Sequence, residues 1–270
     1  LFKLLFMNFN GQISKMITAL NNPINYLLPV GNDNINVNEI IGKSIHISFK
    51  GEINCIGCEK SIKKTYMQGY CYPCFISLPQ TEECVFKPHL CRAHIGEARD
   101  MSWSKKYCLT PTYVYLSLTS NLKVGVTRNM NLPSRWIDQG AHYAIKFAET
   151  PNRYLAGMIE LEISKYISDR TKWRQMIKGE YDFVNLIDKK IELSSLLSNE
   201  YSKYIINHND LVELHYPMKS NPAKISSINL DKTPNVKGLV TGIKGQYMIL
   251  DNCNVLNVRK YTGYTLNIEY

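Results

Sequence analysis

Four cysteines in two pairs, Cys55-x2-Cys58 and Cys71-x2-Cys74, carry the sharpest chemical signal in the chain. Twelve residues separate the pairs. Two tight turns of this kind can present four thiolates to one ion, the tetrahedral set that Zn²⁺ takes at about 2.3 Å per Zn–S bond. Gly57 sits inside the first turn and Pro73 inside the second, which suits backbone that must fold back on itself. Disulfides are the competing use of such thiols. CxxC pairing and a cytoplasmic setting argue against them. Four protein ligands close a zinc site, so this metal would staple a loop-rich, ribbon-like segment and do no catalysis.

A second set follows, Cys84-x6-Cys91-x2-His94 and then Cys108. It offers three sulfurs and one imidazole, a chemically sound Cys₃His site, with His89 able to replace His94. Arg92, Arg99 and Asp100 are available to orient His94 or to screen thiolate charge. The alternative reading is that Cys84 and Cys108 are buried apolar thiols and His94 a surface histidine. Seven of the eight cysteines thus fall between Cys55 and Cys108; Cys253 stands apart in an expected turn as an ordinary free thiol.

Charge points to a partner class. The chain carries 32 Lys and Arg against 23 Asp and Glu, a net of +9. From Pro111 to Lys178 there are 10 basic and 5 acidic residues, a net of +5, whereas from Gly179 to Tyr270 the count is 10 against 10. A localised positive field favours a polyanion, nucleic acid being the usual one. Arg170, Lys172, Trp173 and Arg174 combine three cations with an indole, a set suited to phosphate contact with base stacking. Arg128 and Arg135 flank the turn after LKVGVT and can line the same groove. Trp136 and Tyr143 can stack bases, with core packing the default for both. Each set also reads as solvated cations around inward-facing aromatics.

The elements that must position these groups are legible in part. Residues 1–50 alternate as strands, most clearly in SIHISFK, with Ile45, Ile47 and Phe49 on one face. Residues 51–110 are the metal-binding segment. Then YVYLSL and LKVGVT read as a hairpin across Thr119-Ser120-Asn121, Pro133 opens a short helix ended by Gly140, and His142 to Ala148 returns to strand alternation. Thr150 is expected to cap a helix with Pro151 at its first position and Leu155, Ile159, Ile163 and Tyr166 or Ile167 as its apolar stripe. Arg153, Gly157 and Glu160 share a face of that helix; Gly157 costs it about 1 kcal/mol relative to Ala, which a close approach by backbone or ligand would explain. Ser168-Asp169 starts the helix bearing Trp173, Met176 and Ile177, and a third helix covers Leu186 to Ile206. Residues 179–236 form a helical linker region, and 237–270 a C-terminal β-meander whose Lys237, Lys244, Arg259 and Lys260 can face nucleic acid. The fold class expected is α+β.

From Pro111 to Lys172 the hairpin-then-helix pattern resembles the GIY-YIG nuclease fold. Tyr113-Val114-Tyr115 stands where GIY would be and Lys123-Val124-Gly125 where YIG would be. Arg135 matches the arginine of the helix that follows and Glu160 the metal-binding glutamate, with Glu162 a second candidate. The resemblance implies a catalytic set of Arg135, Glu160 and Tyr115. Such a set would act with Mg²⁺, which favours one or two carboxylates plus waters, while an arginine clamps the phosphate. Lys123 replaces the YIG tyrosine and can bind phosphate, but at its usual pKa of about 10.4 it is a poor general base; Tyr113, Tyr115 or Tyr143 would have to stand in. The nucleic-acid contacts would then come from Lys123, Arg128, Arg153, Arg170, Lys172, Trp173 and Arg174. More broadly, the cysteines, LKVGVTR, RWIDQGA and GIKGQYMIL together resemble a bacterial and archaeal domain family of unknown function.

Three function classes follow: a zinc-stapled nucleic-acid-binding protein, an Mg²⁺-dependent phosphodiesterase, and a protein-interaction module. Composition excludes others. With 44% apolar and 20% charged residues and 18 Tyr, the chain is neither disordered nor collagen-like. It has no apolar run long enough for a membrane span. The opening LFKLLFM is too short for a signal peptide, and Met7 and Met16 are both plausible starts, so a cytoplasmic protein is expected.

Overall fold

The computed structural model describes residues 7–167 and 171–270. It is a mixed α+β fold of two compact units: the first takes residues up to Phe75 and from His215 onward, the second Ile76–Leu214. In chain order, the first unit contributes β1 (Asn8–Gln12), β2 (Ile17–Ala19), β3 (Asn25–Val30), β4 (Asp33–Asn36) and β5 (Ser44–Ile53), and the chain passes from the first unit to the second within α1 (Tyr72–Ser77). The second carries α2 (Met101–Tyr107), β6 (Thr112–Leu118), β7 (Leu122–Arg128), α3 (Ser134–Asp138), β8 (Tyr143–Thr150), α4 (Arg153–Ile163), α5 (Trp173–Lys178), α6 (Leu186–Leu196), α7 (Asn199–Ser202) and β9 (Val212–Glu213). The chain then returns with β10 (Ser226–Ser227), β11 (Asn235–Lys244), β12 (Tyr247–Leu250), β13 (Asn254–Asn257) and β14 (Tyr264–Glu269).

Strands from both ends of the chain share the first unit's main sheet, ordered β1-β14-β5-β11-β12-β13-β10; β2, β3 and β4 form a smaller sheet. The terminal strands are therefore no self-contained meander. β14 runs antiparallel between β1 and β5, Ile268 opposite both Phe9 and Ile47. Ile45 and Ile47 are buried as the alternation of β5 predicts, and Phe49 is half-buried. VLNVRK keeps strand form only to Asn257, whose side chain accepts from Lys260 N and caps a 3-10 turn over Val258–Tyr261.

The second unit is organised by β6, buried at every position because β7 and β8 flank it. A bulge between Val114 and Tyr115 offsets its register with β8, the kind of irregularity that re-aims a side chain. Val114, Leu116, Val124, Val126, Ile145 and Phe147 pack with Ala156, Ile159 and Ile163 of α4 into one core. The helix starts later than the sequence suggests. Thr150 is the buried last residue of β8, its hydroxyl donating to the Thr112 and Asn152 carbonyls, and Asn152 is the cap, accepting from Leu155 N at 3.0 Å. The buried face is accordingly turned: Ala156, Ile159 and Ile163 are covered while Leu155 is half-exposed and Tyr166 lies beyond the helix end. The expected long third helix is two. Glu162 of α4 accepts from both Ser198 N and Ser198 Oγ at 3.1 Å, which fixes the start of α7 and breaks the helix at Leu197. The expected start of α5 at Ser168-Asp169 lies outside the described residues. Among the described residues no helix is long and apolar enough to cross a membrane.

Candidate functional site

Two thiol clusters and a polar cleft gather the candidate residues named from the sequence. In the first unit, the sulfurs of Cys55, Cys58, Cys71 and Cys74 lie within 4.8 Å of one another. Cys58 and Cys71 are 3.8 Å apart, the edge of a tetrahedron with bonds of about 2.3 Å. The Cys71 and Gly57 amides both donate to Cys55 Sγ, at 3.1 and 3.4 Å. Burial opposes ionisation of Cys55, yet these amides bring it down to about 6, while its neighbours' thiols push Cys74 up to about 12. The first turn reverses at Glu59 rather than Gly57, with φ +60°, and Pro73 falls in the first turn of α1. The donor set fits a closed tetrahedral metal site.

In the second unit the sulfurs of Cys84, Cys91 and Cys108 also lie within 4.8 Å of one another, all buried. The expected fourth ligand is elsewhere. His94 is exposed and its ring stacks on Tyr154 at 4.1 Å, because it falls on the turn Ala93–Ile95, one step past the turn Pro88–Leu90 that delivers Cys91. Hydrogen bonds from the Cys108 and Cys84 thiols hold Cys91 down near 3, helped by Arg153; the shared protons push Cys84 up. Arg153 is buried, its Nε donating to Cys84 O at 2.8 Å and its Nη2 to Val85 O at 2.7 Å. Arg128 lies 4.8 Å over the Tyr107 ring, within electrostatic reach of Cys108. Three thiolates on a divalent ion leave one negative charge, which these guanidiniums offset, so the residues fit a metal with one position left to a further donor.

The cleft is a cavity of about 230 Å³ lined by Lys123, Arg135, Gln139 and Glu160, with Lys87 and His89 on its wall. Four separate elements converge: Lys123 from β7, Arg135 from α3, Glu160 from α4 and His89 from the cysteine segment. Tyr115 is fully buried next to it. The Gln139 amide, oriented by its partners, donates to Tyr115 Oη at 2.9 Å and accepts from Arg135 Nε at 3.2 Å and Nη2 at 3.3 Å. Burial pushes the Tyr115 phenol up, opposed by the adjacent Arg135 charge. A Cβ at Gly125 would strike the Tyr115 hydroxyl, so the glycine of Lys123-Val124-Gly125 is what admits this tyrosine. Gly157 has a similar reason: its Cα abuts the Pro88–His89 backbone, which a side chain would displace. The glycine marks a close approach by backbone, and that approach brings Lys87 and His89 to the cleft.

Other expected residues go elsewhere. Arg128 and Arg153 serve the second cysteine cluster and do not line the cleft. Lys172 is exposed, Trp173 is half-buried, and Arg174 stacks on Trp173 at 4.4 Å; Arg170 lies outside the described residues. Glu162 is committed to Ser198, which leaves Glu160 as the cleft carboxylate. Of the other tyrosines considered, Tyr113 carries Lys146 over its ring at 4.5 Å and Tyr143 donates to Glu213 at 3.1 Å. Trp136 is buried core, edge-on to Tyr115. Gln139 was not identifiable from its spacing, and nothing local in Lys87 or His89 announced a wall residue.

A family model described as a protein of unknown function (DUF2797) matches residues 42–266. No curated protein and no solved structure matches the chain.

Proposed function

We propose, from the premise that the chain belongs to the DUF2797 family of proteins of unknown function, that it binds nucleic acid through the cleft of Lys123, Arg135 and Glu160. One observation carries this reading: two cations and a carboxylate from three separate elements line one cavity. A phosphate diester needs charge-assisted donors in fixed positions. Arg135, held by Gln139 and Tyr115, supplies a braced guanidinium and Lys123 an ammonium. Both thiol clusters take zinc as structural staples, the first around a ribbon-like turn pair and the second behind the cleft wall. Thiols kept for metal favour the reducing cytoplasm.

The hairpin, α3 and α4 support a GIY-YIG-like core. A second reading, cleavage of the bound phosphodiester, is favoured by Glu160 lining the same cavity as Arg135, where it can hold Mg²⁺. Lys123 at the YIG tyrosine position argues for binding over hydrolysis. Filter binding across a salt series tests the first reading: affinity should fall steeply with salt, and Arg135→Gln should weaken it. No affinity for DNA or RNA, or affinity indifferent to salt, overturns it. Cleavage that requires Mg²⁺ and is lost in Glu160→Gln at unchanged affinity would establish the second.

A further inference from the structure

The first unit contains a cavity of about 540 Å³ that the cleft reading leaves unused, lined by Lys63, Lys64, Gln68, Asp231, Lys260 and Tyr264. Its three ammonium groups come from two distant stretches. Lys63 and Lys64 lie in the loop between the two CxxC pairs, and Lys260 lies on the Val258–Tyr261 turn. One carboxylate faces them, Asp231, and it accepts from Tyr264 Oη at 3.0 Å. The pocket therefore keeps a positive excess, with Gln68 adding a neutral donor. Such a set suits a phosphate group.

Aromatic rings continue from the pocket. Lys64 lies 5.3 Å over the Tyr66 ring, Tyr66 meets Tyr72 at 5.3 Å, and Tyr66 stacks on Phe75 at 6.0 Å. Tyr72 is 54% exposed and sits between the ligands Cys71 and Cys74, so the metal turn itself presents it. Ammonium groups for phosphate beside an exposed ring for a base are what an unpaired strand requires; a duplex keeps its base faces stacked inside.

We infer that the four-cysteine turn pair is a single-strand reader, seating a backbone phosphate in the Lys63, Lys64 and Lys260 pocket and a neighbouring base on Tyr72. The inference rests on the nucleic-acid reading above but on a different unit of the chain. Lys63 and Lys64 hang on the loop whose ends the cysteines pin: Cys55 N donates to Lys60 O and Ile56 N to Gly69 O. Metal at the cysteines thereby holds the pocket's wall.

The test uses the whole chain loaded with zinc and fluorescence anisotropy with a labelled 12-nucleotide oligo(dT), a duplex of equal length, and inorganic triphosphate as competitor. The wild type should prefer the single strand. Replacing Lys63, Lys64 and Lys260 with Ala should weaken binding at least tenfold and flatten the log–log salt slope by about 0.7, the share of the one phosphate that the pocket neutralises. Tyr72→Ala should cost about tenfold with the slope unchanged, and Tyr72→Phe should restore affinity. Replacing the exposed Lys105 and Lys106 with Ala is the control for bulk charge. Wild-type slope and affinity in the triple variant, alongside loss in Arg135→Gln, overturn this inference and leave the cleft reading standing. Binding of triphosphate without oligonucleotide also overturns it, as does an equal or stronger preference for duplex. No binding of any strand by the wild type removes both readings.

Discussion

Gly157→Ala should destabilise the protein, against the usual sense of that substitution. In an open helix interior, replacing Gly by Ala stabilises by about 1 kcal/mol. Here the new methyl would meet the Pro88–His89 backbone, with Pro88 Cβ 2.7 Å away as well. Overpacking costs about 1–3 kcal/mol, and the upper end applies when the obstacle is backbone that cannot rotate aside. The net expectation is a loss of about 2 kcal/mol. A urea titration reads it as a lower midpoint at unchanged slope, about 1 M lower for a slope near 2 kcal/mol/M. Zinc content should fall with it, because the displaced turn carries Cys91. A variant more stable than wild type by about 1 kcal/mol would refute the packing of the cysteine segment on α4, and with it the cleft wall.

Other substitutions probe neighbouring contacts. Gly125→Ala should displace the Tyr115 hydroxyl and the Gln139–Arg135 bridge behind it, costing about 1–3 kcal/mol and lowering oligonucleotide affinity in the same salt-series assay. Glu162→Ala should lose about 1 kcal/mol through the freed Ser198 cap while leaving strand binding at wild-type affinity; a loss of binding in Glu162→Ala beyond its loss of stability would contradict this assignment of Glu162 to the Ser198 cap. Burial lowers the Lys244 ammonium to about 7 in the folded state. The unfolded chain then binds the extra proton between pH 7 and about 10.4, so stability should rise with pH across that window. Lys244→Met should raise the urea midpoint at pH 7 and flatten that rise; an unchanged pH profile would show that Lys244 keeps its ordinary protonation.

The sequence disclosed what local pattern controls. The CxxC pairs, the Thr112–Arg128 hairpin and the short helix stopped by Gly140, with φ +70°, depend on neighbours within a few residues. What failed depended on distant partners. Asn152 displaced Thr150 as the cap because Thr150 is drawn into pairing with Thr112. The helix break at Leu197 comes from Glu162, which holds Ser198 from 36 residues away. β14 lies between β1 and β5, a register no terminal repeat advertises. Lys123, Arg135 and Glu160, matched through the GIY-YIG resemblance, line one cavity. Arg128 and Arg153 turned to the thiols instead, since buried sulfur and carbonyl groups compete for guanidinium donors. His94 misses its expected cluster because it falls on the Ala93–Ile95 turn, where its ring stacks on Tyr154, and His89 reaches the cleft through the contact that Gly157 permits.

In a crystal structure with a short phosphorothioate oligonucleotide, a backbone phosphate should lie within hydrogen-bonding distance of both Arg135 and Lys123. A strand bound elsewhere on the molecule, with the Arg135 and Glu160 cleft occupied by solvent alone, would contradict the cleft reading.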